Sequence, residues 1–206
     1  MHFGIDVGAN RLHCVALDTD RRVVGSWLLD ARELDRVVEV VTGARAVMVD
    51  APAQVSAMPH RDDPRPLSPK FRSARCAEIA LGLEHRSWVP FVAPAERPAS
   101  GWIATGLSVF DALADAGVPA FEMFPFAGYR ALARGLPLPK KITVAGIRTR
   151  VELLVEAGVS APQALMWSHD GLDALLGALV AVDQAQGRAL RVTCGHDESA
   201  IWLPAA

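Results

Sequence analysis

Lysine is almost missing from this chain of 206 residues: Lys70, Lys140 and Lys141 are the whole set, and arginine supplies the remaining positive charge. The formal net charge is −2, so composition gives no sign of a strongly basic nucleic-acid-binding surface, and any such surface has to be a local patch. Cysteine is scarce. Cys14, Cys76 and Cys194 are far apart, odd in number and at no metal-ligand spacing, which reads as buried free thiols in a reducing compartment. His60 and His85 have no partner at ligand spacing either. No apolar run approaches the ~18 residues of a membrane span, and no basic-then-apolar leader opens the chain. The reading is a soluble, cytoplasmic protein. Neither GxSxG nor GxxxxGK[ST] occurs, which argues against the common serine hydrolases and the P-loop proteins. Repeats and low-complexity stretches are absent as well.

What is present is apolar sequence, 51% of the residues, enough for one domain over 1–206 with a sizeable core. Three short runs open the chain: FGIDV (3–7), LHCVALD (12–18) and VVGSWLL (23–29). The polar connections GANR and TDRR predict that they are successive hairpin strands. Residues 31–42 are predicted to be helical, with Leu34, Val37, Val38 and Val41 on one face and Gly43 as the stop. RAVMVD (45–50) then reads as a strand buried on both faces after a crossover helix, hence parallel to the first strand.

Residues 51–72 change character. Pro52, Pro59, Pro64, Pro66 and Pro69 are mixed with Arg and Asp without period, as in a surface loop or lid, and 51–118 reads as an insertion. Helices are expected over 73–85, 101–116, 126–134, 143–157 and 169–185, a strand over 119–124, and a final hairpin from RVTCG to AIWLP. In the 143–157 helix, Val144, Ile147, Val151, Leu154 and Val155 form the expected apolar stripe. The five tryptophans are scattered and read mostly as core.

Acids recur at the ends of these elements. Asp6, Asp50 and Glu122 each fall at or near the end of a predicted strand, and Asp170 and Asp173 open the late apolar helix on neighbouring positions of one face. If the strands of Asp6 and Asp50 are neighbours and the helix packs over their ends, these carboxylates share a cleft and repel one another unless cations intervene. Oxygen ligands of this kind suit Mg²⁺ or Mn²⁺, and a pair of such ions can activate water against a phosphodiester. Each residue alone has a plainer reading. A strand-end Asp is often a turn residue, Asp170 can be a helix N-cap with Asp173 in the first turn, and Glu122 can be a buried partner of an arginine. His169 is a surface residue at a helix start or a proton shuttle. Lys140, Lys141, Arg148 and Arg150 can grip phosphates or form a solvated patch, and Arg72 and Arg75 border the lid within reach of the acidic cleft.

The stretches GIDVGAN, VMVDAPAQ, RSARCAE, FEMFPFAGYRAL, PKKITVAGIRTRVELL and HDGLDALLGALVA, in that order and spacing and with IWLP near the end, resemble the domain-of-unknown-function family 429, described as predicted nucleases of ribonuclease H-like fold. The resemblance implies a mixed sheet flanked by helices, with a helical and loop insertion after the fourth strand. It implies Asp6, Asp50 and Asp170 or Asp173 as the acidic cluster with Glu122 nearby, a divalent metal, and nucleic acid as the partner. Arg75, Lys140, Lys141 and Arg150 are the candidate substrate contacts. Two other classes stay open. GIDVGANRLHCVALD also resembles the first phosphate motif of sugar kinases and actin-like ATPases, although those need two such domains and the length here allows one. A non-catalytic binding module of the same fold is the third.

Overall fold

Alternation along the first strands decides where their side chains go. The computed structural model describes residues 1–97, 99, 101–161, 167–194 and 199–205. Strand β1 (His2–Val7) pairs antiparallel with β2 (Arg11–Leu17), and β2 pairs antiparallel with β3 (Val23–Asp30). Helix α1 (Leu34–Val41) crosses over to β4 (Ala46–Asp50), which lies parallel to β1. A long irregular segment follows, ending in a 3-10 turn at Pro69–Ser73, then α2 (Cys76–His85) and α3 (Gly101–Asp115). The chain continues through β5 (Ala120–Met123), α4 (Pro125–Leu132), α5 (Val144–Glu156), α6 (His169–Ala185), β6 (Leu190–Val192) and β7 (Ile201–Leu203).

The seven strands form one mixed sheet in the order β3-β2-β1-β4-β5-β7-β6. Its first four strands have the antiparallel and parallel pairing expected from the sequence. The whole is the ribonuclease H-like arrangement of a mixed sheet flanked by helices. One core lies on the face covered by α6, with α4 and α5 outside it, and contains Met48, Met123, Leu154 and Leu175. A second, on the opposite face, contains Phe3, Ile5, Val47, Val49 and residues of α1 and α3, and a third, smaller one joins Leu81 of α2 to Val192, Ile201 and Leu203. Since successive side chains of a strand point to opposite faces, Phe3, Ile5 and Val7 fix Gly4 and Asp6 on the α6 side. In the same way Val47 and Val49 put Met48 and Asp50 there.

Helix α6 approaches β1 at backbone contact. A Cβ on Gly4 would lie 2.0 Å from the Ala174 carbonyl oxygen, and one on Gly177 would lie 2.9 Å from the Gly4 Cα. Two glycines therefore seat the helix directly against the strand carrying Asp6.

Several expectations need correction. Cys76 and Cys194 are not isolated thiols: they are paired as a disulfide with Cα atoms 5.5 Å apart across 118 residues of sequence, and Cys14 alone is free and buried. No local spacing could reveal a pair so far apart. The buried face of α5 is centred on Gly146, Arg150, Val151 and Leu154, while Val144 and Val155 are exposed. Gly146 sets that rotation, because the helix there touches the Lys140 carbonyl, 2.0 Å from where a Cβ would sit. The tryptophans hold to expectation, with Trp27, Trp102, Trp167 and Trp202 partly buried against the first two cores, while Trp88 is 40% exposed. Among the described residues, no helix is long and apolar enough to cross a membrane.

Candidate active site

Asp6 and Asp50 are direct register partners at the carboxyl ends of the parallel strands β1 and β4. That edge is where open α/β sheets leave a crevice for ligands. Both side chains emerge on the α6 face, where α6 presents Asp170 and Asp173 from its first turns. Ser168, not Asp170, caps this helix, accepting from the Gly171 N–H at 3.2 Å. With the cap made by Ser168, the Asp170 carboxylate meets His169 Nδ1 at 2.5 Å and lines the cleft. Asp173 is buried one turn further on.

The electrostatics of the cluster are unusual for this chain. Burial, then the charges of Asp173 and Asp170, push the Asp6 carboxyl up to about 8. Asp50, at the half-buried end of its strand, is raised well above the usual carboxylate range by loss of hydration and by Asp6. The interaction with the Asp50 side chain and the charge of Lys141 both work against the rise at Asp6. Asp173 is raised by burial, and Lys141 opposes the rise. The Lys141 ammonium lies 2.9 Å from Asp173 Oδ2 and 4.0 Å from Asp170 Oδ1. It loses hydration there, but the surrounding carboxylates more than offset this and raise its pKa.

The other buried acids have cations of their own. Arg75 binds Glu122 and Glu78, and Arg21 and Arg188 both bind Asp183. Among the described residues, no such ion pair reaches Asp6 or Asp50.

Glu122 is nearby but on the other face of the sheet: it lines the larger cavity, and its charge adds to the rise at Asp50. Phe121 and Met123 pack on the α6 side, so Glu122 alternates to the opposite face. There it takes both ends of the Arg75 guanidinium at 2.5 and 2.6 Å and accepts from the Ala53 N–H at 2.8 Å. Arg75 is consequently fully buried, and its remaining hydrogen bonds go to Glu78 and Ser199. The expectation that Arg75 contacts substrate is corrected: it neutralises two internal carboxylates. Arg150 is corrected likewise. It is buried, donates to the Pro139 and Gly146 carbonyls at 3.2 and 3.0 Å, and stacks 5.1 Å from the Tyr129 ring centre. Lys140 is exposed at the mouth of a cavity beside the cluster.

Sequence reasoning missed three features. His13 is the register partner of Asp6, and its Nε2 lies 4.0 Å from Asp170 Oδ2. The tight Gly8–Arg11 hairpin carried that signal, since it fixes which residues face each other. The second feature is aromatic. A cavity of about 600 Å³ opens over Asp6, Asp50 and Asp170 with Phe91 and Trp102 in its wall. A neighbouring one of about 490 Å³ touches Asp50 and Asp173 with Trp88 and Phe126 in its wall. The third is that His169 joins Asp170 and Asp173 in a set whose donor atoms all lie within 4.8 Å of one another.

The donor set fits a hard divalent cation: carboxylate oxygens, three of them raised in pKa first by burial, with the ammonium of Lys141 already among them. The segment 51–72, expected to be a loop or lid, is irregular up to residue 68 and then enters the 3-10 turn Pro69–Ser73, and Pro52 near its start lines the larger cavity.

The class this architecture defines is the ribonuclease H-like fold. Among solved structures, the chain is similar to Thermus thermophilus RuvC, with a TM-score of 0.46, 21% identity and coverage of 98% of each chain. It is also similar to T. thermophilus RuvC in complex with a Holliday junction substrate, with a TM-score of 0.47, 18% identity and coverage of 96% of this chain and 97% of that one. No family model matches the chain, and no curated protein matches it.

Proposed function

We propose that this protein is a divalent-metal-dependent phosphodiesterase acting on nucleic acid, a member of the nuclease family its sequence resembles. The observation that carries the reading is the pair Asp6 and Asp50: buried or half-buried acids, in register on parallel strands, raised in pKa and without an ion pair, inside a chain that neutralises its other buried acids with its own cations.

In this reading Asp6, Asp50, Asp170 and Asp173 hold Mg²⁺ or Mn²⁺. When bound, the metal would lower the pKa of a water and stabilise charge on the phosphate. The chain's own residues set the rest. Strands β1 and β4 fix two carboxylates rigidly, as a site of this kind needs. Asp6 and Asp50 would each release a proton to solvent to serve as ligands, since ligating carboxylates must be ionised. Lys141 leaves Asp173 and turns its ammonium to the phosphate, and Lys140 meets the backbone at the rim. His13 and His169, on either side of Asp170, are placed to carry a proton between the cleft and solvent. The rings of Phe91 and Trp102 offer a stacking surface for bases of an unpaired strand. Glu122 acts through position only, holding the start of the irregular segment by the Ala53 N–H.

One observation favours a second reading, a binding module without chemistry. Lys141 already pairs with Asp173, so the cluster is partly neutralised by the chain itself. Cleavage separates the two. Wild type and Asp50→Asn are incubated with labelled single- and double-stranded RNA and DNA, in Mg²⁺ and in Mn²⁺. The enzyme reading predicts metal-dependent strand scission by wild type and a loss of at least about a hundredfold in Asp50→Asn, roughly 2.7 kcal/mol in the barrier. Binding without scission under every condition transfers the reading to the module.

A further inference from the structure

Three stretches far apart in sequence meet beside Arg75: the irregular segment after β4, the start of α2, and the segment after β6. They bring His60, Cys76 and Cys194 together, with one donor atom of each within 4.8 Å of the others. We propose that these residues form a binding site for a thiophilic divalent cation of the Zn²⁺ class, separate from the carboxylate cluster and independent of the function proposed above.

The donor chemistry points there. Two thiols and an imidazole make a soft set, suited to Zn²⁺ and ill suited to Mg²⁺. The imidazole is already oriented: His60 Nδ1 meets Asp63 Oδ2 at 2.8 Å, and Arg65 holds that same carboxylate through its Nε at 2.9 Å. A histidine that gives its Nδ1–H to a carboxylate offers the Nε2 lone pair, and such carboxylate–imidazole pairs surround metal-ligating histidines. The disulfide engages two of the three groups, whereas a soft cation on the reduced pair engages all three. The Cα separation of 5.5 Å between the cysteines serves either chemistry. Two thiolates ~2.3 Å from a tetrahedral ion stand roughly 3.8 Å apart, a spacing that side-chain rotation at such a separation can reach. A thiol reductant must first supply two electrons and two protons to open the Cys76–Cys194 disulfide into two thiols, itself becoming a disulfide. When the cation then binds, each thiol releases its proton to solvent as its sulfur–metal bond forms.

The placement gives the ion a structural task. Cys76 follows Arg75, which binds Glu122 and Ser199, and Glu122 in turn holds the N–H of Ala53. A cation on His60, Cys76 and Cys194 would fasten the irregular segment around His60 and the chain just after β6 to the start of α2.

The test uses the full chain, purified under reductant, equilibrated with Zn²⁺ and desalted. Metal is measured by plasma mass spectrometry, and Co²⁺ replacement is followed through its thiolate charge-transfer absorption. The proposal predicts about one Zn²⁺ per wild-type chain and a thiolate–cobalt band. Cys194→Ser, at an exposed position that tolerates the change, should lose both, as should His60→Ala. Asp63→Asn should bind roughly 10–100-fold more weakly. Asp6→Asn should keep the full Zn²⁺ content, which sets this site apart from the carboxylate cluster. A reduced wild-type chain that retains no Zn²⁺ and gives no thiolate band overturns the proposal. So does Zn²⁺ retained equally by Cys194→Ser and His60→Ala.

Discussion

At the scale of single residues, what separates a structural acid from a site acid in this chain is the identity of its nearest cation. Asp183 has Arg21 and Arg188, and Glu122 has Arg75. Removing Arg75 leaves Glu78 and Glu122 buried and uncompensated, so Arg75→Met should cost about 3–5 kcal/mol and lower the melting temperature by well over 6 °C. Asp6 has the opposite sensitivity. Its carboxyl keeps a proton up to about 8 in the folded chain but only to the ordinary 3.8 in the unfolded one. Between those values the folded chain binds more protons. Stability of the metal-free protein is therefore greatest below the unfolded value and is lost as pH rises through about 8. Melting temperatures in chelator should fall by several degrees from pH 5 to pH 8.5, and Asp6→Asn should flatten that slope and melt higher than wild type at the alkaline end. A wild-type slope of zero or of opposite sign removes the electrostatic picture of the cluster. Lys141→Met withdraws the ion-pair partner of Asp173 and should melt lower in chelator, by about 1–3 kcal/mol for the buried carboxylate left behind. Excess Mn²⁺ should restore most of that loss.

At the scale of elements, the strand register places the acids and the glycines place the helix. Most of this was legible in sequence, because hairpins joined by GANR and TDRR and a crossover helix before RAVMVD leave few topologies open. Asp6 and Asp50 could be put at one edge from that topology alone. Glu122 could not be sorted, since a strand of four residues carries too little alternation to say which face its middle acid takes. Arg75 and Arg150 looked like substrate contacts because charge in a sequence reads as exposure, and burial through paired carboxylates or backbone carbonyls is a tertiary fact. The α6–β1 approach makes its own prediction. Gly4→Ala drives a methyl group into the Ala174 carbonyl and the Ala178 amide, both backbone, so neither side can move aside cheaply. Overpacking costs typically 1–3 kcal/mol, and a backbone collision belongs at or beyond the upper end. Gly4→Ala should melt at least about 6 °C lower, and Mn²⁺ should rescue it less than it rescues Lys141→Met, because the helix carrying Asp170 and Asp173 is displaced. Equal rescue of the two variants would mean that the seating of α6 does not position the acids.

At the scale of the whole molecule, the sheet divides the chain's work. One face and its helices build the α6 core, the other builds the α1 and α3 core, and the crevice at the carboxyl ends of β1, β4 and β5 gathers the acids, Lys141 and the aromatic walls. What sequence could not supply at this scale is the meeting of distant segments: Cys76 with Cys194, His60 with both, and Phe91 with Trp102. The central claim is that the crevice is a divalent-cation site completed by Asp6. Calorimetric titration of Mn²⁺ into wild type and Asp6→Asn at pH 7, repeated in two buffers of different ionisation enthalpy, tests it most directly. The account predicts saturable millimolar or tighter binding by wild type with net proton release, because Asp6 and Asp50 must ionise to coordinate, and binding weaker by at least about tenfold, 1.4 kcal/mol, in Asp6→Asn. Titrations that show no saturable heat in wild type, or the same affinity and proton release in both proteins, would contradict it.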